Sequence, residues 1–330
     1  MRLLSGEPLF GFDLAGAVFL DTETTGLAGG TGTAAFLIGV GFVDGDRFRV
    51  RQYFMRDYHE EPALLHALAQ ELARFEHVVT FNGKLFDLPL LETRFRLCRT
   101  RYPLKGAPHL DLLHPARRLW KARLASCRLQ ALEVELLGLR RQGDVAGELI
   151  PSLYFDYVRS RDARLLLKVF EHNRTDIVSL AALSALACQW VEVGLAEEPL
   201  DLLSLGRVLE RASAHERSAE AYRGALASAE PQVRWPALLR LASQAARCGR
   251  FEEAVPLWRE AAEAGEWRAL RALAVHHEHR ARSLEEALAW VERGLALAGH
   301  DWPAEAHDDL LRRQRRLERR LARQGAAQPR

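Results

Sequence analysis

The sequence predicts an α/β domain built on one mixed sheet, followed by an all-α segment of repeated helices. Three observations carry this. Apolar runs of strand length recur up to about residue 113, helical periodicity lies between and after them, and strand patterns vanish beyond about residue 200. The chain has 330 residues, and at about 150 residues per domain the expectation is two domains. We place them at 1–195 and 196–330.

The elements follow in order. Residues 17–20 (AVFL) and 34–43 (AAFLIGVGFV) are buried-strand candidates. After the turn Asp44-Gly45-Asp46, residues 47–54 (RFRVRQYF) alternate polar and apolar, completing a three-strand meander. Residues 61–75 have the helical period, with Pro62 near the start where a helix tolerates it. Residues 77–81 (HVVTF) read as a strand, 88–98 as a helix and 109–113 (HLDLL) as a strand. Helices then run to about Trp190, broken by a loop near 138–151.

Composition excludes several classes. With 48% hydrophobic and 27% charged residues, the chain is neither mainly disordered nor fibrous. No uncharged apolar run approaches the roughly 18 residues of a membrane span. The N-terminal residues lack the basic, apolar and small-residue order of a secretory leader, so the expected location is cytoplasmic. Cys98, Cys127, Cys188 and Cys248 show no CxxC spacing, which disfavours structural zinc and a disulfide framework. A net charge of +2 says little about partners, because distribution matters more than the sum. Only four lysines and two asparagines occur, and both asparagines, Asn82 and Asn173, fall beside candidate acids.

Beyond residue 200 an internal pattern recurs. The triplets Ser218/Tyr222/Ala225, Ala254/Trp258/Ala261 and Ala287/Val291/Gly294 place small, bulky and small residues at offsets of four and three. Successive copies are 36 and 33 residues apart. Small residues let helices approach and the bulky one fills the groove. The pattern resembles the tetratricopeptide repeat (TPR), with its period of about 34 residues. A helical bundle without true repeats is the alternative.

The chemistry concentrates in three blocks. In VFLDTETTGL, Asp21 and Glu23 are two residues apart on a strand and so point to one face. In TFNGKLFDL, Asp87 opens a helix. In HNRTD, His172 and Asp176 are at i and i+4 and share a helical face. Four acids converging within apolar sequence are costly to bury as bare charges, and divalent cations would compensate them. Oxygen-only ligands select Mg²⁺ or Mn²⁺ over zinc.

On these residues the chain resembles the DEDD exonuclease superfamily, with its RNase H-like fold. More narrowly it resembles the YprB-type family, in which TPR-like repeats follow the nuclease domain. The segments DTETTGLAGGTGTAAFLIG (21–39), TFNGKLFDLPLL (80–91), HLDLLHPARRLWK (109–121), CRLQALE (127–133) and HNRTDIVSL (172–180) carry the likeness. The resemblance implies a 3′–5′ exonuclease using two divalent ions, Mg²⁺ or Mn²⁺, acting in DNA repair on a single-stranded 3′ end. Asp21, Glu23, Asp87 and Asp176 would hold the metals and His172 would orient or deprotonate the attacking water. The spacing departs from the family's histidine class: three residues separate His172 from Asp176, as in its tyrosine class. By the same resemblance Thr24, Thr25 and Leu27 would receive the 3′ end and Asn82 would hydrogen-bond the terminal nucleotide, with Lys84 beside it. A helicase or other protein partner on the repeats is a further implication.

Residues 94–128 contain ten Arg or Lys and one acid, Asp111, which reads as structural. Arg117, Arg118, Trp120 and Lys121 are candidates for phosphate contact and base stacking, against the alternative of a solvated basic face over a buried tryptophan. Residues 312–323 hold seven Arg and form an amphipathic basic helix, either a nucleic-acid contact or a cap on the repeats. The glycines of LAGGTGT lead into a strand, not a helix, and so are no dinucleotide fingerprint; a loop over the site entrance is the expectation. Two other functions fit the same residues: a non-cutting nucleic-acid scaffold, and a structure-specific endonuclease or RNA exonuclease.

Overall fold

The first strand, β1 (Ala17–Thr24), runs four residues past its apolar stretch, so Asp21 and Glu23 lie inside the sheet rather than just beyond it. This computed structural model describes residues 12–26, 31–194, 196–299 and 302–326; Leu27, Gly29 and Gly30 lie outside the described residues. The chain divides into two units, Met1–Leu195 and Ala196–Arg330.

In the first unit, β1 pairs antiparallel with β2 (Ala35–Asp44), and β2 antiparallel with β3 (Arg47–Phe54). On its other edge β1 pairs in parallel with β4 (His77–Thr80), and β4 in parallel with β5 (His109–Asp111). The result is one mixed five-stranded sheet of order β3-β2-β1-β4-β5, with β1 at its centre. The parallel pairs need crossovers. Helix α1 (Glu61–Leu72), with Pro62 in its first turn, lies between β3 and β4, and α2 (Asp87–Leu97) lies between β4 and β5. Then come α3 (Leu113–Trp120) and the short α4 (Leu129–Leu132), which continues as a π turn over Glu133–Leu137 and stops at Gly138 with φ of 65°. The loop that follows leads to α5 (Ile150–Ser160) and the long α6 (Leu166–Val193).

By length and composition, α6 is apolar enough to cross a membrane. Here its apolar face packs on β1, β2 and β3 and helps build the core, with Ile177, Leu180 and Leu183 buried. Two glycines let it come close. A Cβ on Gly39 would lie 2.4 Å from Asn173 Oδ1, and one on Gly41 would lie 2.4 Å from Ile177 Cγ2. Gly39 is the cross-strand partner of Asp21, so its missing side chain is the space through which Asn173 reaches that acid. Gly39→Ala is therefore expected to cost about 1–3 kcal/mol through overpacking, measured by urea unfolding.

The second unit is helical: α7 (Pro199–Arg211), α8 (His215–Ala225), α9 (Pro231–Arg247), α10 (Phe251–Glu263), α11 (Trp267–His279), α12 (Leu284–Leu297) and α13 (Ala304–Ala326). Consecutive helices pack on one another. All nine residues of the three triplets are buried. The close approach is literal at Gly206, where a Cβ would stand 2.5 Å from the Tyr222 ring, and Ser218 Oγ donates to the Gly206 carbonyl at 2.9 Å. The basic helix α13 buries Leu310 and Leu317. Its Arg313, Arg316 and Arg320 bond the buried Glu278 at 2.7, 2.6 and 2.8 Å. Of these three only Arg313 is buried, and Arg316 and Arg320 are exposed like Arg312, Arg315 and Arg319.

Candidate active site

Three elements bring the acids together. β1 contributes Asp21 and Glu23, the start of α2 contributes Asp87, and α6 contributes His172 and Asp176. Asp21 and Glu23 share a face because strand side chains alternate; Thr22, between them, points the other way in the sheet yet bonds Asp87 Oδ1 through its hydroxyl at 2.5 Å. On the central strand, these acids face α6. Donor atoms of Glu23, His172 and Asp176 all lie within 4.8 Å of one another, a spacing that could hold a metal ion.

The electrostatics are those of carboxylates crowded out of water. Burial pushes Asp21 well above the ordinary carboxylate range, and the charges of Asp176, Asp87 and Glu23 push it further. Burial likewise raises Glu23 strongly, aided by Asp176, Asp87 and Asp144 and opposed by Arg141. Asp87 is pushed up to about 6, again by burial first, against the hydrogen bond from Thr22. Asp176 is also raised by burial, with His172 and Arg141 pulling it back. Asn173, fully buried, donates to Asp21 Oδ2 at 2.9 Å and accepts from Gln52 at 3.0 Å.

A loop supplies what the three sequence blocks do not contain. Arg141 donates to Glu133 through Nε at 2.7 Å and Nη2 at 2.5 Å, to Asp144 at 3.2 Å, and to Asp176. Glu133 is 1% exposed, so this fork neutralises a charge that water cannot reach. Asp144 Oδ1 lies 2.7 Å from His172 Nδ1. Nothing in the sequence singles out Arg141 and Asp144, because GLRRQGD (138–144) reads as an ordinary loop, whereas Glu133 closes the CRLQALE segment that carries the likeness.

A divalent metal fits this donor set. Arg141 bonds Asp176 and is shared with Glu133, so its single charge is divided among several acids. Beside the oxygen donors of the sequence reading, the imidazole of His172 lies within the same spacing.

The remaining predicted site residues fall in different places. Thr24 is buried and its hydroxyl donates to the Gly26 carbonyl at 2.8 Å; Thr25 Oγ1 accepts from the Ala34 amide at 3.0 Å. Asn82 is exposed with φ of 65°, and the left-handed turn alone gives a reason for asparagine there. Asp111 accepts from the amides of Asn82 at 2.7 Å, Lys84 at 3.1 Å and Leu113 at 3.2 Å, so it builds the turn that leads to Asp87. Lys84, Arg117 and Lys121 have exposed side chains and Arg118 is half-buried. Trp120 is a correction. It is 0% exposed and packs edge-on against Trp190 at 5.5 Å, so its ring cannot stack on a base. Phe95 is buried as well, and Arg94 is committed to Glu61. The aromatics of the basic stretch serve the core.

The mixed sheet, the acids on its central strand and the helix packed over them define a nuclease of the RNase H-like class. Residues 18–188 match the RNase H superfamily, and the chain belongs to it. The chain is also 33% identical over 293 residues to "Uncharacterized protein YprB" of Bacillus subtilis (strain 168), covering 87% of this chain and 70% of that one. RNase H-like nucleases act on nucleic acid with divalent metals, in keeping with the cluster described above.

The raised acids give a pH dependence. A carboxyl whose pKa rises on folding takes up protons as the chain folds, so its contribution to stability is lost as pH rises through the folded value. For Asp87 the window runs from 3.8 to about 6. In EDTA the melting temperature is expected to fall between pH 4 and about 6 by calorimetry, and Asp87→Asn should flatten the fall. Mn²⁺ at pH 7 should restore the lost stability. A wild-type curve in EDTA that rises across this window would contradict the assignment.

Proposed function

We propose that the chain is a metal-dependent 3′–5′ exonuclease that shortens single-stranded nucleic acid, DNA in preference, in DNA repair. The observation that carries this is the convergence of Asp21, Glu23, Asp87 and Asp176 with His172 on β1, α2 and α6, Asp87 and His172 buried and the other three half-buried. These side chains would hold divalent cations, whose charge would stabilise the phosphate and lower the pKa of the attacking water. The chain's own residues do the rest. Asn173 holds the Asp21 carboxylate in place, and Thr22 does the same for Asp87. Asn82 and Lys84, exposed on the turn before Asp87, would meet the terminal nucleotide. Arg117, Arg118 and Lys121 on and just after the last turn of α3 offer a basic edge for phosphates upstream.

The second unit supports a binding role. Its buried small–bulky–small triplets favour a TPR-like array, and such arrays present a concave face to a partner. A helicase or other repair protein is the partner class we assign to it.

The test uses DNA and RNA strands of one sequence, labelled at the 5′ end, with Mn²⁺, Mg²⁺ or EDTA. Degradation that needs the metal and runs faster on DNA supports the proposal. Strands intact in every metal lane would sink it.

A further inference from the structure

The two ring nitrogens of His172 have different neighbours. Nδ1 lies 2.7 Å from Asp144 Oδ1, whereas Nε2 lies 3.5 Å from Asp176 Oδ2 and 4.0 Å from Glu23 Oε1. A carboxylate accepts hydrogen bonds, so at that distance Nδ1 carries the hydrogen. Arg141 Nη1 is also 3.3 Å from Nδ1, but it is a donor, and its acceptor is Asp144 Oδ2 at 3.2 Å. In the neutral ring the lone pair is then on Nε2, aimed among carboxylate oxygens. A lone pair beside two anions is repelled unless a proton on Nε2 or a metal cation lies between them. Neighbouring ligand atoms on an ion with bonds of about 2.1 Å stand about 3–4 Å apart, which the 3.5 and 4.0 Å separations match.

The helical register explains why this ring is available. At 100° per residue, a histidine four positions before Asp176 is offset from it by about 40°, and one five positions before by about 140°. The spacing found here puts the ring beside Asp176 rather than around the helix from it.

Building on the exonuclease reading above, we propose that His172 Nε2 is a ligand, with Glu23 and Asp176, of one of the divalent cations, and that Asp144 is the positioning residue that sets its tautomer. His172 is then not free to act as general base. A nitrogen in the donor set shifts selectivity from Mg²⁺, which prefers oxygen and keeps its waters, towards Mn²⁺ and Co²⁺. Outer partners of this kind set metal affinity by orienting the ring, so losing Asp144 should cost about 10–100-fold.

The experiment loads the full chain with Mn²⁺ in the absence of nucleic acid and reads it by pulsed EPR and calorimetry. The wild type should show the coupling of a directly bonded ¹⁴N, and His172→Gln should lose it. Asp144→Ala should weaken Mn²⁺ binding about 10–100-fold, with Asp144→Asn, which keeps an acceptor for Nδ1, recovering most of it. Mg²⁺ affinity should change less than Mn²⁺ affinity in His172→Gln. Wild-type Mn²⁺ binding without nitrogen coupling overturns this assignment and leaves the exonuclease reading standing. Failure of Mn²⁺ to bind the wild type overturns both.

Discussion

Replacing Asp21 by asparagine is expected to leave the fold intact and to lower phosphodiester hydrolysis about 10³-fold or more. Asp21 stands on the central strand, raised by burial and by three neighbouring acids, and it is held by Asn173. A cation bound by such acids contributes several kcal/mol of transition-state stabilisation, and each 1.36 kcal/mol is a factor of ten. The fold should not suffer, because asparagine has the same shape and removes a charge that burial disfavours. In EDTA the variant should melt no lower than the wild type. The pair of measurements is kcat on a labelled strand and melting temperature by calorimetry. A variant retaining a tenth of the activity would place the chemistry elsewhere.

Removing Arg141 is expected to have the largest effect on stability. Its guanidinium forks onto Glu133, which is 1% exposed, and also bonds Asp144 and Asp176. Arg141→Ala leaves Glu133 as a buried charge without a partner, and breaking such a pair costs about 3–5 kcal/mol. Glu133→Ala should cost less, because Asp144 and Asp176 still pair the arginine. An apolar replacement of both, Glu133→Leu with Arg141→Met, should recover much of the loss, because a buried ion pair contributes little over well-packed apolar groups. Urea unfolding in EDTA reads all three. Single variants that each lose under about 1 kcal/mol would contradict the account.

Much of the first unit is legible in the sequence, for physical reasons. Apolar runs and the alternation in residues 47–54 mark strands of one sheet, and the acids of the three blocks stand out because carboxylates are rare among buried residues. The i, i+4 spacing by itself puts His172 and Asp176 on one helical face. Long-range pairings are not legible in this way. Arg141 and Asp144 lie on a loop with no periodicity, and their partners Asp176 and His172 are 35 and 28 residues away. Trp120 leaves two readings open in the sequence, a stacking ring or a buried one, because its stretch is basic; α3 is amphipathic and Trp120 is on its inner side. On α13 likewise, the buried acid that Arg313, Arg316 and Arg320 bond, Glu278, lies on another helix. The scarcity of asparagine points to two special positions but not to their reasons. Asn82 takes a left-handed turn, and Asn173 passes over Gly39 to bond Asp21.

The central claim is tested most directly by a 5′-labelled linear single strand incubated with Mn²⁺ beside a circular strand of the same sequence. Asp21→Asn is run in parallel. The account predicts a ladder shortening from the 3′ end of the linear strand, an intact circle, and neither product with the variant. Cleavage of the circle would contradict it and identify an endonuclease, and a ladder undiminished in the variant would remove the four-acid site from the chemistry.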